Sequence, residues 1–125
     1  MTQWEQFGME QKIKAILSSE RPSGEWEPHI GYRFMTPYQI AIELKRRYPA
    51  DTLPDLPIGG EGTGGKFSLT QYVARELSGR IREGHMRGVQ MAYLSGAHAD
   101  RMTFRAPGGQ HVEASINHVT LFRLI

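Results

Sequence analysis

The segment from Phe67 to Arg82 constrains the fold of this chain more than any other. Ser68 and Gln71 stand three residues apart, which is the spacing of a capping box, so a helix is predicted to begin there. Apolar side chains then recur at helical intervals along one stripe formed by Leu69, Tyr72, Val73, Leu77 and Ile81. The spacing therefore predicts an amphipathic helix over 68–82 with one side in the core.

The opposite side of this predicted helix carries polar side chains. They recur at steps of four, three and four residues and form one row of Gln71, Arg75, Ser78 and Arg82. Amide and guanidinium groups in such a row have the length and the donors to contact bases and phosphates in a major groove. A solvated helix face shows the same pattern, and the sequence leaves both interpretations open.

Two further helices are predicted before this one. Thr2 and Glu5 have capping-box spacing and begin a helix over 2–18, and a connector with prolines and glycines follows over 19–33. Thr36 is the predicted N-cap of the second helix, which begins with a proline and ends before Pro49. A loop then leads to the third helix, so that 36–83 is a helix–loop–helix unit.

The last third of the chain, 88–125, changes from helical to alternating apolar spacing. The alternation predicts strands whose core-facing residues include Met91, Tyr93, Met102 and Phe104. The sequence APGGQ at 106–110 is typical of a hairpin tip. Helices followed by strands predict an α+β fold with three N-terminal helices and then an antiparallel β-meander of three to four strands.

The length and composition bound the class of protein. The 125 residues fit one domain over 1–125, and the absence of cysteine excludes disulfides and thiolate metal sites. We expect a cytoplasmic protein without a membrane segment, because no signal sequence and no apolar run of about 20 residues is present. The net charge of +2 is uneven, with 7 Lys and Arg against 9 Asp and Glu over 1–61 but 8 against 4 over 62–125. The basic second half gives mild support for a polyanionic partner.

A glycine-rich loop over 59–65 precedes the third helix. The sequence GEGTGGK from Gly60 to Lys66 fits a phosphate-binding G-x-x-x-x-G-K pattern, but Phe67 stands where a metal-binding hydroxyl is required. Pro54 and Pro57 are also difficult to place in the buried strand that such a motif needs. Nucleotide hydrolysis is therefore not predicted. The loop amides and Lys66 could hold a nucleic-acid phosphate at the helix start, or the loop could be a simple surface connection.

Arg101 and Arg105 lie on one side of a strand that leads into the predicted hairpin over 101–112. This position suits contacts with a phosphate backbone, and it equally suits a solvated strand face. The five histidines have no metal-ligand spacing, and no nucleophile–base pattern stands out. We therefore expect no enzyme activity, no cofactor and no metal.

Three helices, the last with a polar outer face, followed by an antiparallel hairpin resemble a winged-helix domain over Thr36 to Ile125. The run TPYQIA through SLTQYVARELS also resembles small bacterial proteins. Two features depart from the winged-helix pattern, namely the long loop before Phe67 and a β region larger than a simple wing. The resemblance implies a non-enzymatic DNA-binding protein with 68–82 as recognition helix and 101–112 as wing. Phosphate contacts would come from Lys66, Arg101 and Arg105.

The alternative is a small protein-binding module. An example is a phage- or mobile-element-encoded inhibitor that acts on a nucleic-acid-handling complex. The compact size, the modest net charge and the aromatic residues Trp26, Tyr32 and Tyr38 suit such a protein equally well. The sequence does not decide between a DNA and a protein partner.

Overall fold

The computed structural model of the protein describes residues 1–22, 30–59, 68–100, 102–114 and 119–125. In these ranges the helices are α1 (Gln3–Gln6), α2 (Met9–Ser18), α3 (Pro37–Arg47) and α4 (Leu69–Arg82). The strands are β1 (Val89–Leu94), β2 (Thr103–Arg105), β3 (His111–Glu113) and β4 (Val119–Leu124). The predicted α+β class is confirmed.

The prediction of a single N-terminal helix over 2–18 is wrong, because Gly8 divides this segment into α1 and α2. Gly8 has a φ of +59°, a left-handed conformation that glycine adopts without steric cost, and the chain restarts there as α2. Thr2 nevertheless caps α1 as its spacing predicts, since its hydroxyl accepts a hydrogen bond from the Glu5 amide at 3.2 Å. On either side of the break, Trp4 and Met9 are both buried.

The predicted starts of α3 and α4 are confirmed. The Thr36 hydroxyl accepts from the Gln39 amide at 3.2 Å, and Gln39 Oε1 accepts from the Thr36 amide at 2.8 Å, which completes the capping box. The Ser68 hydroxyl accepts from the Gln71 amide at 3.1 Å. Local sequence therefore fixes where both helices begin.

The main core lies between the helices and the ribbon of β1 and β4. Its largest fully buried side chains are Phe122, Met9, Ile13, Ile16, Leu17, Ile40, Leu44, Leu69, Leu77 and Val73. The apolar stripe predicted for α4 lies in this core, and α3 contributes Ile40, Ala41 and Leu44 to it. These helices are thereby held with one face each turned inward.

The strand order is not a meander, so that part of the prediction is wrong. β1 pairs antiparallel with the last strand, β4, with Val89 opposite Leu124. Phe122 of β4 pairs with β1 on one edge and forms an isolated bridge with Met35 on the other. The order across this layer is Met35, β4, β1, and β2 pairs with β3 in a separate hairpin.

One side chain assigned to the core, Tyr93, is 66% exposed, so this prediction is wrong. Val89, at the start of the same strand, is buried, and Met91 packs against the core. The alternation of apolar residues continues along β1, but the helices cover only its first half. Periodicity shows which face a residue occupies and gives no information on whether another element covers that face.

The β2–β3 hairpin packs on α3 through a second, smaller apolar cluster. Ile42 of α3 and Val112 of β3 are buried in it. The rings of Tyr38 and Phe104 stack with centroids 5.9 Å apart and planes 15° apart. The hairpin is therefore held against α3, with its tip at Pro107–Gly109 as the sequence predicts.

Candidate nucleic-acid interface

The described part of the long loop fixes the N-terminus of α4. The Leu69 amide donates to the Pro57 carbonyl at 2.7 Å. The Thr70 amide and hydroxyl both donate to the Ile58 carbonyl, at 3.1 and 2.7 Å. Gly59 has a φ of +104°, and a Cβ added there would come within 2.5 Å of Ser68 Cβ, so only glycine fits this approach.

The polar row predicted on α4 lies on the face turned away from the core. Gln71, Arg75 and Arg82 are exposed, and Ser78 is half-buried. Arg82 Nε donates to the Ser78 carbonyl at 3.3 Å. Within the described ranges, Arg75 has no hydrogen bond or ion pair. The row therefore presents two cations and an amide to the solvent.

A third arginine of α4, Arg80, has a different environment, and the sequence analysis did not single it out. Its guanidinium carbon lies 4.9 Å from the centroid of the Trp4 ring, and its Nε lies 3.4 Å from a Glu76 carboxylate oxygen. Helical spacing places Arg80 one turn after Glu76 and three residues after the buried Leu77. That spacing was available in the sequence, but the partner Trp4 lies in a distant helix.

Tyr72 lies beside Trp4, with ring centroids 6.1 Å apart, and is only 7% exposed. Its burial raises the pKa of the phenol above its usual value, and the charge of Glu76 acts in the same direction. In the described part of the chain, the Tyr72 hydroxyl, Trp4 Nε1 and Arg80 Nε are buried without a hydrogen-bond partner. The ion pair of Arg80 at 3.4 Å thus lacks hydrogen-bond geometry.

Arg105 does not lie beside the row on α4. It is exposed on β2, opposite His111, in the hairpin that packs on α3. It lines a cleft together with Glu43 and Arg47 of α3. The structure therefore brings four of the predicted contact residues together on α4 and places Arg105 beside α3.

The remaining predicted contacts, Lys66 and Arg101, lie outside the described residues. The same is true of Trp26 and of the glycine-rich loop beyond Gly59. The predictions for these residues stay predictions.

The basic end of α3 is engaged within the protein. Arg46 Nε and Nη2 donate to the two carboxylate oxygens of Glu43, each at 2.8 Å, and Arg47 Nε donates to one of them at 2.8 Å. Arg47 Nη2 also donates to the Ser19 hydroxyl at 3.0 Å. The hydrogen bond from Arg46 is the main cause that holds the pKa of Glu43 below its usual value. The spacing of three and four residues made these pairs visible in the sequence.

Comparison with known proteins gives no assignment. No protein-family model matches the chain, and no characterised protein or solved structure is similar to it. None of the helices in the described ranges has the length and apolar character that a membrane span requires.

Proposed function

We propose that the protein binds double-stranded nucleic acid without catalysing a reaction, with α4 as its recognition helix. The observation that carries this proposal is the contrast between the arginines of α4. Arg80 is held by Trp4 and Glu76, whereas Arg75 and Arg82 point away from the core. Two solvent-facing arginines and Gln71 in one row supply hydrogen-bond donors for the base edges of guanine and adenine and for phosphate oxygens.

The order of elements supports the proposal. α2, the bridge at Met35, α3, α4, β1 and β4 follow one another along the chain, and the extended segments lie in the order Met35, β4, β1. The winged-helix resemblance rests on three helices followed by strands, and α4 is the third helix of this series. The β2–β3 hairpin lies between β1 and β4 in sequence and is the wing of the proposed arrangement.

The charge distribution also supports a polyanionic partner. The second half of the chain, which contains α4, has 8 Lys and Arg against 4 Asp and Glu. Arg75 and Arg82 are seven residues apart, which places them about 10 Å apart along the helix axis. Seven residues are close to two helical turns, so both side chains lie on the same side of α4, and a major groove about 12 Å wide admits such a helix.

The test is a duplex titration with the double variant Arg75→Gln/Arg82→Gln. Its matched control is Arg21→Gln/Lys45→Gln, which removes the same charge from exposed positions outside the row. We expect the first variant to bind duplex roughly 100-fold more weakly, at about 1–3 kcal/mol for each good contact. The slope of the logarithm of its binding constant against the logarithm of the salt concentration should decrease in magnitude by about two. This is the change expected when two cationic contacts to phosphates are lost.

Stability must be measured in parallel. Because both arginines are exposed, the free energy of unfolding should change by less than about 0.5 kcal/mol. No duplex binding by the wild type at low salt, or equal affinities of the two double variants, would contradict the proposal.

A second candidate function, a protein-binding module, is favoured by one observation. Tyr93 is 66% and Leu94 40% exposed where the β1–β4 ribbon extends past the helices. Aromatic and apolar side chains in such a position suit the centre of a protein interface. This function would be supported by a partner that binds the purified protein at fixed stoichiometry and binds the Tyr93→Ser variant more weakly. It also requires that the wild type does not bind duplex.

A further inference from the structure

A second site is formed where the end of α2, α3 and β2 meet. The cleft there has a volume of about 320 Å³, within the range typical of small-molecule sites. None of its lining residues belongs to α4, so it is separate from the proposed recognition helix. It is also remote in sequence from the glycine-rich loop.

The floor and one wall of the cleft are apolar. Met35 and Ile42 are each 6% exposed and form part of the lining. Phe104 lines the cleft as well, and its ring is held in place by the stack on Tyr38. A ring fixed in this way offers a planar ligand a stacking surface at little entropic cost.

The rim itself carries two carboxylates and two arginines, and two further arginines beside the cleft pair with the carboxylates. Glu43 already accepts hydrogen bonds from Arg46 and Arg47. Glu20 is paired with Arg33 at 2.7 Å. Both carboxylates are therefore neutralised by arginines of the protein itself.

The guanidinium of Arg105 is the positive charge of the rim that is available to a ligand. It is exposed on the rim, and no residue of the described ranges forms a hydrogen bond or an ion pair with it. Arg47 donates through Nε and Nη2, so its Nη1 is left for a ligand. Gln39 uses its Oε1 in the capping box of α3, which leaves its amide nitrogen as a further donor at the cleft.

We propose that this cleft binds a nucleotide, with the base against Phe104 and the phosphate held by Arg105 and Arg47. A planar ring and an anionic group in one small molecule can contact the aromatic wall and the two arginines of the rim together. The nucleotide can be a free nucleoside monophosphate or an unpaired nucleotide of a single strand. The site does not depend on duplex binding by α4.

The test is an NMR titration of the full chain with adenosine 5′-monophosphate, extended to millimolar concentration. We expect saturable shifts at Phe104, Gln39 and Arg105. Adenosine and inorganic phosphate, each added alone, should bind at least about tenfold more weakly, because each lacks one of the two recognised groups. A short oligo(dA) added in a separate titration distinguishes the sources, since tighter binding than by the monophosphate assigns the site to a single strand.

Two variants locate the site. Arg105→Gln removes the unpaired cation at an exposed position and should weaken the monophosphate about tenfold. Phe104→Leu keeps an apolar side chain packed against α3 and should weaken binding of the monophosphate by a similar factor through lost stacking. Arg87→Gln removes the same charge from an exposed position outside the cleft and should leave the affinity unchanged.

The outcomes are separable from those of the duplex test. Arg75→Gln/Arg82→Gln should bind the monophosphate as the wild type does, because neither arginine lines the cleft. No binding of either the monophosphate or the oligonucleotide overturns the inference. The same holds for binding that neither Arg105→Gln nor Phe104→Leu changes, or for phosphate alone binding as tightly as the monophosphate.

Discussion

Tyr72→Phe measures what one buried hydroxyl costs this protein. Tyr72 is 7% exposed, and its hydroxyl has no hydrogen-bond partner among the described residues. A polar group buried without a partner costs about 1–3 kcal/mol, because the unfolded chain regains its hydrogen bonds to water. Phenylalanine keeps the ring beside Trp4 and removes the hydroxyl. We therefore expect the free energy of unfolding to stay unchanged or to rise by about 1 kcal/mol.

Thr70→Val is the matched control on the same helix. Thr70 is 5% exposed, and its hydroxyl donates to the Ile58 carbonyl at 2.7 Å. Valine has nearly the same shape but cannot donate, so the free energy of unfolding should fall by about 1 kcal/mol. Urea unfolding followed by circular dichroism measures both variants, and equal m-values would show that the unfolded states are comparable.

The pH dependence gives the same hydroxyl a second test. Burial raises the pKa of Tyr72 in the folded state above the value of about 10 in the unfolded chain. The folded protein then binds more protons, so stability is lost as the pH rises above the unfolded pKa and through the folded pKa. Tyr72→Phe should lack this part of the alkaline loss. A fall of 1 kcal/mol or more at neutral pH would show that the hydroxyl has a partner. An unchanged alkaline loss would show that the pKa of Tyr72 is not raised in the folded state.

Two other perturbations test the local interactions of α3. Thr36→Ala, at a cap that is 4% exposed, should lower the free energy of unfolding by about 1–2 kcal/mol, and Thr2→Ala at the exposed cap of α1 by less. Thermal unfolding compares the two, and equal effects would contradict the role of burial. Arg46 lowers the pKa of Glu43, so Glu43 stabilises the folded state above its unfolded pKa of about 4.3 and loses this effect as the pH falls. Glu43→Gln should therefore differ from the wild type at pH 7 and converge with it in acid, as equilibrium unfolding at both pH values would show.

The predictions from sequence succeed where the deciding interaction is local. Thr36 with Gln39 and Ser68 with Gln71 fix two helix starts, since a cap needs only residues within one turn. The predicted continuity of 2–18 fails because helical periodicity continues across Gly8 while the backbone there is left-handed. The sequence contains the glycine, but tertiary packing selects which of its allowed conformations is used.

Strand pairing depends on residues far apart in the chain. The apolar alternation predicts strands, but β1 pairs with β4 and leaves β2 and β3 as a separate hairpin. Pairing with the next strand and pairing with the last one satisfy the same alternation. The choice is made by the surface available on the helices, where Phe122 fills the main core and Val112 packs against α3.

By itself, the sequence determined the α+β class, the two capped helices and the face of α4 on which Gln71, Arg75 and Arg82 lie. These follow from hydrogen bonds and spacings within a few residues. Only the tertiary structure decided which arginine of α4 is held inside, because Trp4, the partner of Arg80, lies 76 positions away in the chain. It also created the cleft at Arg105, since a cleft exists only where elements distant in sequence pack side by side.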